Sequence, residues 1–190
     1  MLGSVMRPFR RYLKYAVAAF LLGAGGTPLP AQNADLDPLF QQLRSADDGE
    51  AEPIVQKIYE EWSNSGSASM DLLLERGREA LQAGDTEIAI EHFSALIDHA
   101  PDFAEGYNAR ATAFFQQKRY GLSLNDLEMA LARNPRHFGA LSGLAIIMEE
   151  LGHEDLALRA WREVVALHPQ QDQADEAIAR LEQLVEGSRL

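Results

Sequence analysis

Five histidines, His92, His99, His137, His153 and His168, are the side chains best suited to hold a metal or move a proton near neutral pH. His92 and His99 stand seven apart, too far for the i, i+4 pair that aims two ligands from one helix face, and neither sits in an HExxH run. His99, His137 and His168 each fall beside a proline (Pro101, Pro135, Pro169), where a polar or cationic cap suits a helix end. Carboxylates are plentiful, but they come in runs such as Asp47-Asp48, Glu60-Glu61 and Glu149-Glu150, the pattern of a solvated face. No glycine-rich loop ends in Lys-Ser or Lys-Thr, and "SNSGSAS" (Ser63 to Ser69) is no nucleophile elbow. Cysteine is absent, which removes disulfides, thiolate ligands and lipid attachment at cysteine. These patterns predict no catalytic residue, no bound metal and no cofactor.

What remains must be an arrangement of elements. The 190 residues are 46% apolar, enough for one ordinary core or one short repeat array. The first 31 are set apart. "MLGSVMRPFRRYLKYAVAAFLLGAGGTPLPAQ" has a basic start (Arg7, Arg10, Arg11, Lys14), an apolar run from Tyr15 to about Gly26, and a small residue at Ala31. That layout predicts a secretory signal, residues 1–31, and a periplasmic chain. Glycines and prolines interrupt the run, which disfavours the alternative, a retained inner-membrane anchor with the rest facing the periplasm. Export through the general or the twin-arginine route stays open, since Arg10-Arg11 lacks the usual Ser or Thr before it. Without residues 1–31 the chain has 13 Lys+Arg against 29 Asp+Glu, a formal charge of −16. Such a surface repels phosphate, so nucleic acid is not an expected partner, and a membrane is expected only if the first segment stays.

From Met70 onward the sequence repeats. At a 34-residue period it falls into segments 70–103, 104–137 and 138–171. Gly77, Ala111 and Ala145 share the eighth position; Ala89, Ser123 and Ala157 the twentieth. Phe93, Leu127 and Trp161 share the twenty-fourth, and Pro101, Pro135 and Pro169 the thirty-second. Each segment reads as two antiparallel helices. Small residues let the axes approach, a large one fills the space beside them, and the proline stops the second helix. Upstream, Asp37 reads as an N-cap with Pro38 at the first helical position, Asp47-Asp48-Gly49 as a turn, and a second helix is predicted from near Pro53 with Ile54, Ile58 and Trp62 on one face. Residues 32–69 are therefore expected to form a degenerate hairpin, in phase with the repeats, and a linker. At the other end, residues 172–190 supply a capping helix and tail, with Ala177, Ile178, Leu181, Leu184 and Val185 as its apolar stripe.

The repeats resemble tetratricopeptide repeats, whose Trp-x2-Leu-Gly-x2-Tyr, Ala-x3-Phe and Pro pattern they follow. "AEGYNARATAFFQQKRYGLSLNDLEMALARNPRH" matches best, with Tyr107 at the Trp place and Phe114 at the Tyr place; Arg76 and Arg110 depart at the Leu place. The resemblance implies an all-α fold, a right-handed superhelix of stacked hairpins whose concave wall is built mainly by the first helix of each repeat. It also implies a non-catalytic module that binds a protein or peptide segment. By the family's inward positions, the groove candidates are Leu74, Arg78, Asn108, Thr112, Phe115, Ser142 and Ile146. The family's clamp for a C-terminal carboxylate has its basic places at Leu74, Gly139 and Gly143 here, so that ligand is not expected. Two other readings stay open at this point: a membrane-tethered assembly factor of the cell envelope, and a self-associating structural protein.

Overall fold

The computed structural model describes residues 36–187; the signal-like segment lies outside the described residues. Among them, all regular structure is helical. In order come α1 (Asp37–Ser45), α2 (Asp48–Ser63), α3 (Ala68–Gln82), α4 (Thr86–His99), α5 (Ala104–Gln116), α6 (Tyr120–Arg133), α7 (Phe138–Glu150), α8 (Glu154–Leu167) and α9 (Asp172–Gly187). Helices α3–α4, α5–α6 and α7–α8 pair as hairpins, each packs on the next, and α9 lies on α8.

The 34-residue period is built into the backbone. Gly84, Lys118 and Gly152, spaced by that period, all have positive φ (85°, 57° and 68°). At each of these positions the following amide donates to a carbonyl five residues earlier: Asp85 to Ala80, Arg119 to Phe114 and His153 to Met148, at 2.8–2.9 Å. One left-handed residue thus closes every hairpin. The helices before the three prolines also end alike. Ala100, Asn134 and His168 adopt φ near −131°, −132° and −136°, and each donates its amide back to the last turn. The proline then opens the next turn, where a further helical amide is not required.

Inside the hairpins, the small positions explain themselves. A methyl group on Gly77 would stand 2.2 Å from the buried Phe93 ring. Ser123 comes so close to α5 that its hydroxyl donates to the Ala111 carbonyl at 2.7 Å, which satisfies a side chain that is fully covered. Arg110, at the place where the family carries Leu, makes two bonds to buried Asp126 (2.7 and 2.9 Å) and a third to Ser94. An ionic staple across α4, α5 and α6 replaces an apolar contact there.

The N-terminal part departs from expectation. Asp37 is the first residue of α1, not its cap, and its carboxylate reaches Arg136. The Asp47–Gly49 turn is absent: Asp47 stands at the N-cap position of α2 without a side-chain bond, and the helix starts five residues earlier than expected and carries Pro53 in its second turn. Nor does this hairpin stack in phase ahead of α3. Its core joins Leu36, Phe40, Leu43, Ile58 and Trp62 to Phe138 of α7, with Leu167 of α8 beside them. The apolar stripe of α2 is satisfied by the middle and end of the array, because periodicity fixes that a face is buried and not against what. At the other end, Ala174, Ala177 and Leu181 of α9 are buried, whereas Leu184 is half exposed.

Lys118 carries the one strained non-glycine backbone among the described residues. An L-residue in that region costs roughly 1–2 kcal/mol, partly offset in glycine by its looser unfolded chain. Lys118→Gly is therefore expected to raise stability by about 0.5–1 kcal/mol, seen as a higher urea midpoint with an unchanged slope.

Candidate functional site

Helices α3, α5 and α7 stand side by side, and α2 lies across the face they make. At the centre is Glu105, 4% exposed, near the start of α5. One carboxylate oxygen takes a bond from Arg78 of α3 at 2.6 Å. The other is 2.7 Å from His137 Nε2 and 3.1 Å from Asn108 Nδ2. His137, fully buried, caps α7: its Nδ1 accepts from the Ala140 amide at 3.2 Å. With Nδ1 accepting, Nε2 carries the ring hydrogen and donates to Glu105. Burial alone would push the Glu105 carboxyl up, but the His137 bond and the Arg78 guanidinium outweigh it and hold the group below the ordinary range. Trp62 stacks flat on the imidazole, ring centres 4.1 Å apart. Tyr59 packs its edge on Phe138, and burial followed by the nearby Glu105 charge pushes its hydroxyl up to about 12.

Beside this covered part the face stays open as a trough of about 460 Å³. Its walls are Phe115, Leu127, Ile146 and Ile147 from the repeats and Val55 and Tyr59 from α2. Gln171 and His168 also line it. Gln171 Oε1 and His168 Nδ1 are buried acceptors or donors without a partner, and burial pushes the His168 imidazole down, against a weaker pull from Glu52.

Of the residues expected to face the groove, Asn108, Thr112, Phe115, Ser142 and Ile146 line this trough. Two do not. Leu74 is 2% exposed, packed with Ala89, Phe93, Leu96, Ala109 and Ala113 in the core between α3, α4 and α5, so no partner reaches it. Arg78 has its guanidinium engaged by Glu105 and by Ser63 Oγ at 3.0 Å. Sequence reasoning missed Val55, Tyr59, His168 and Gln171, which reach the trough from outside the first helices. The only signal was the aromatic-rich end of α2. Among the described residues, no cluster of three or more His, Asp or Glu could hold a metal, and no helix is long and apolar enough to cross a membrane.

The family model for the tetratricopeptide repeat matches residues 74–128. A TPR repeat-containing protein of Rhizobium etli is 34% identical, with 98% of this chain and 99% of that protein aligned. The chain belongs to the tetratricopeptide repeat family. Among solved tetratricopeptide repeat structures, the first such domain of Spaghetti (RPAP3), bound to an HSP90 peptide, superposes with a TM-score of 0.59 at 22% identity, over 62% of this chain and 93% of that one. MamA superposes with a TM-score of 0.57 at 20% identity, over 80% of this chain and 81% of that one. At such identities these structures speak for the fold alone. In this tetratricopeptide repeat chain the three clamp positions hold no cation. Leu74 is core, a side chain on Gly139 would meet the Tyr59 hydroxyl at 2.8 Å, and Gly143 backs onto Leu127.

The buried network ties this tetratricopeptide repeat array to pH. His168 is held down, so stability falls as pH drops below about 6.5, because the unfolded imidazole takes up a proton that the folded one resists. Glu105 is also held down, so its contribution is complete above about 4.5 and is lost as pH falls through its lower folded value. Glu105→Gln should cost about 3 kcal/mol at pH 7 and flatten the acid limb below pH 4.5, read by urea unfolding across pH 3–8.

Proposed function

We propose that this protein is a non-catalytic interaction module of the bacterial periplasm that seats a peptide segment of another envelope protein in the open trough. Tetratricopeptide repeat domains hold peptide segments of partners, as the HSP90 peptide on the Spaghetti domain illustrates for that protein. The observation that carries the reading is the trough itself. An apolar body of about 460 Å³ fits a pair of bulky side chains, and it is bordered by groups with unmet bonding capacity. Phe115 and Ile146 take the apolar side chains of the segment, because exposed apolar surface gains most by being covered. Asn108, whose Nδ2 is held by Glu105, offers its Oδ1 to a backbone N–H, and Gln171 Oε1 beside it lacks a partner. Thr112 and Ser142 already give their hydroxyl protons to their own helices, at Asn108 and Phe138, so each keeps acceptor capacity for an incoming N–H. A preformed trough leaves most of the ordering cost with the segment. The periplasmic setting rests on the basic, apolar and small-residue order of residues 1–31, and N-terminal sequencing of the exported protein should begin at Gln32.

A photo-crosslinking residue placed at Thr112, exposed at the trough, should capture a discrete envelope protein in living cells. The same residue at Glu128 on α6 should not. Phe115→Asp combined with Ile146→Asp should reduce the Thr112 crosslink at least tenfold with melting little changed. An undiminished crosslink would remove the trough as the binding site.

A further inference from the structure

Helices α1 and α2 are bound to the repeats in the manner of a ligand. They hold to one another less extensively than the helices of any repeat pair do, and their shared apolar core is completed by Phe138 and Leu167 of the array. Phe40 meets Phe138 edge-on at 6.4 Å and lies under the Arg136 guanidinium at 4.5 Å. Trp62 stacks on His137, and Asp37 pairs with Arg136 at 2.6 Å. Gln170 donates to the Ala46 carbonyl. Two features set this contact apart from the interior of the repeats. Trp62 Nε1 is buried with no partner, an imperfect fit that a differently shaped occupant can remove. The hairpin also joins α3 through four residues only, Asn64 to Ser67, with Gly66 at φ +80° and the loop pinned by Ser65 to Asp71.

We propose that α1–α2 is a displaceable cover, and that the surface beneath it is a second docking surface for an amphipathic helix of a partner protein. The proposal deepens the reading above, because the covered surface continues the open trough through Phe138 and Gly139. The cover shows what chemistry the surface accepts. Its occupant carries apolar and aromatic residues on one helical stripe, as Ile54, Ile58 and Trp62 do, with an acid at one end. Arg136, which holds Asp37 of the cover, borders this surface in a chain of net charge −12, so an acidic end is steered to it. When the cover swings out, Glu105 and His137 keep each other's bonds, and the flat face of the imidazole is offered to an incoming aromatic ring.

Hydrogen exchange on the full chain provides one test. The amides of α1 and α2 should exchange together, at least tenfold faster than those of α5 and α7. Protection equal to that of α5 and α7 would make the hairpin an integral part of the core and overturn the proposal. The second test uses a fluorescent synthetic peptide of residues 36–63 as the probe. A full chain with Phe40→Ala and Ile58→Ala should bind it at least tenfold more tightly than wild type, and adding Phe138→Ala should erase that gain. Equal binding to all three chains, or binding to none, would overturn it, as would loss of repeat helicity in the loosened chain. Light scattering separates the remaining outcome. Doubling of the loosened chain's mass with exclusion of the peptide would assign the surface to a second copy and overturn the partner assignment. None of these readouts involves the Thr112 crosslink, so this proposal and the trough reading fail separately.

Discussion

One buried carboxylate organises the functional face. Glu105 is surrounded by Arg78 from α3, Asn108 from its own helix and His137 at the head of α7. Placing a charge there without partners would be prohibitive, so the three first helices are held at spacings that deliver all three donors at once. A merely apolar interface among α3, α5 and α7 would tolerate sliding. A carboxylate with four bonding directions does not, and the geometry of the trough follows from it. The same group fixes the imidazole on which Trp62 stacks, which couples the hairpin to the repeats.

The repeat frame was readable because each signal had a local physical cause. Pro101, Pro135 and Pro169 each follow a helix end by two residues, and Gly77 and Ser123 stand where elements pack closely. The hairpin was legible as two amphipathic helices but not as a cover, because the stripe Ile54, Ile58, Trp62 is equally consistent with stacking on α3 or lying across α5 and α7. Leu74 shows a second limit. A position that faces inward in the general pattern becomes core in the first repeat, where Ala109 and Ala113 of α5 leave room for it. At the equivalent place the later repeats carry Asn108 and Ser142, which stay accessible.

Charge is distributed unevenly over this architecture. The acidic excess sits largely on outer surfaces, while the cations that bind carboxylates, Arg162 and Arg180 as well as Arg78, Arg110 and Arg136, bridge between elements. With no cysteine to cross-link the chain, apolar packing carries the cohesion of the array and these bridges fix its register. Their buried ends matter most. Asp126 and Glu105 are almost fully covered, and each bonds an Arg from a neighbouring helix.

The reach of the hairpin has a consequence for how the molecule can change over generations. Solenoids ordinarily lengthen by duplicating a unit, since each unit touches only its neighbours. Here one element bridges from Ser63, against the first unit, to Ala46, against the turn that follows the third. An inserted copy would carry Gln170 out of reach of Ala46 while Arg78 kept its hold on Ser63. The strap across the face therefore fixes the number of units between its two ends and leaves growth only beyond them.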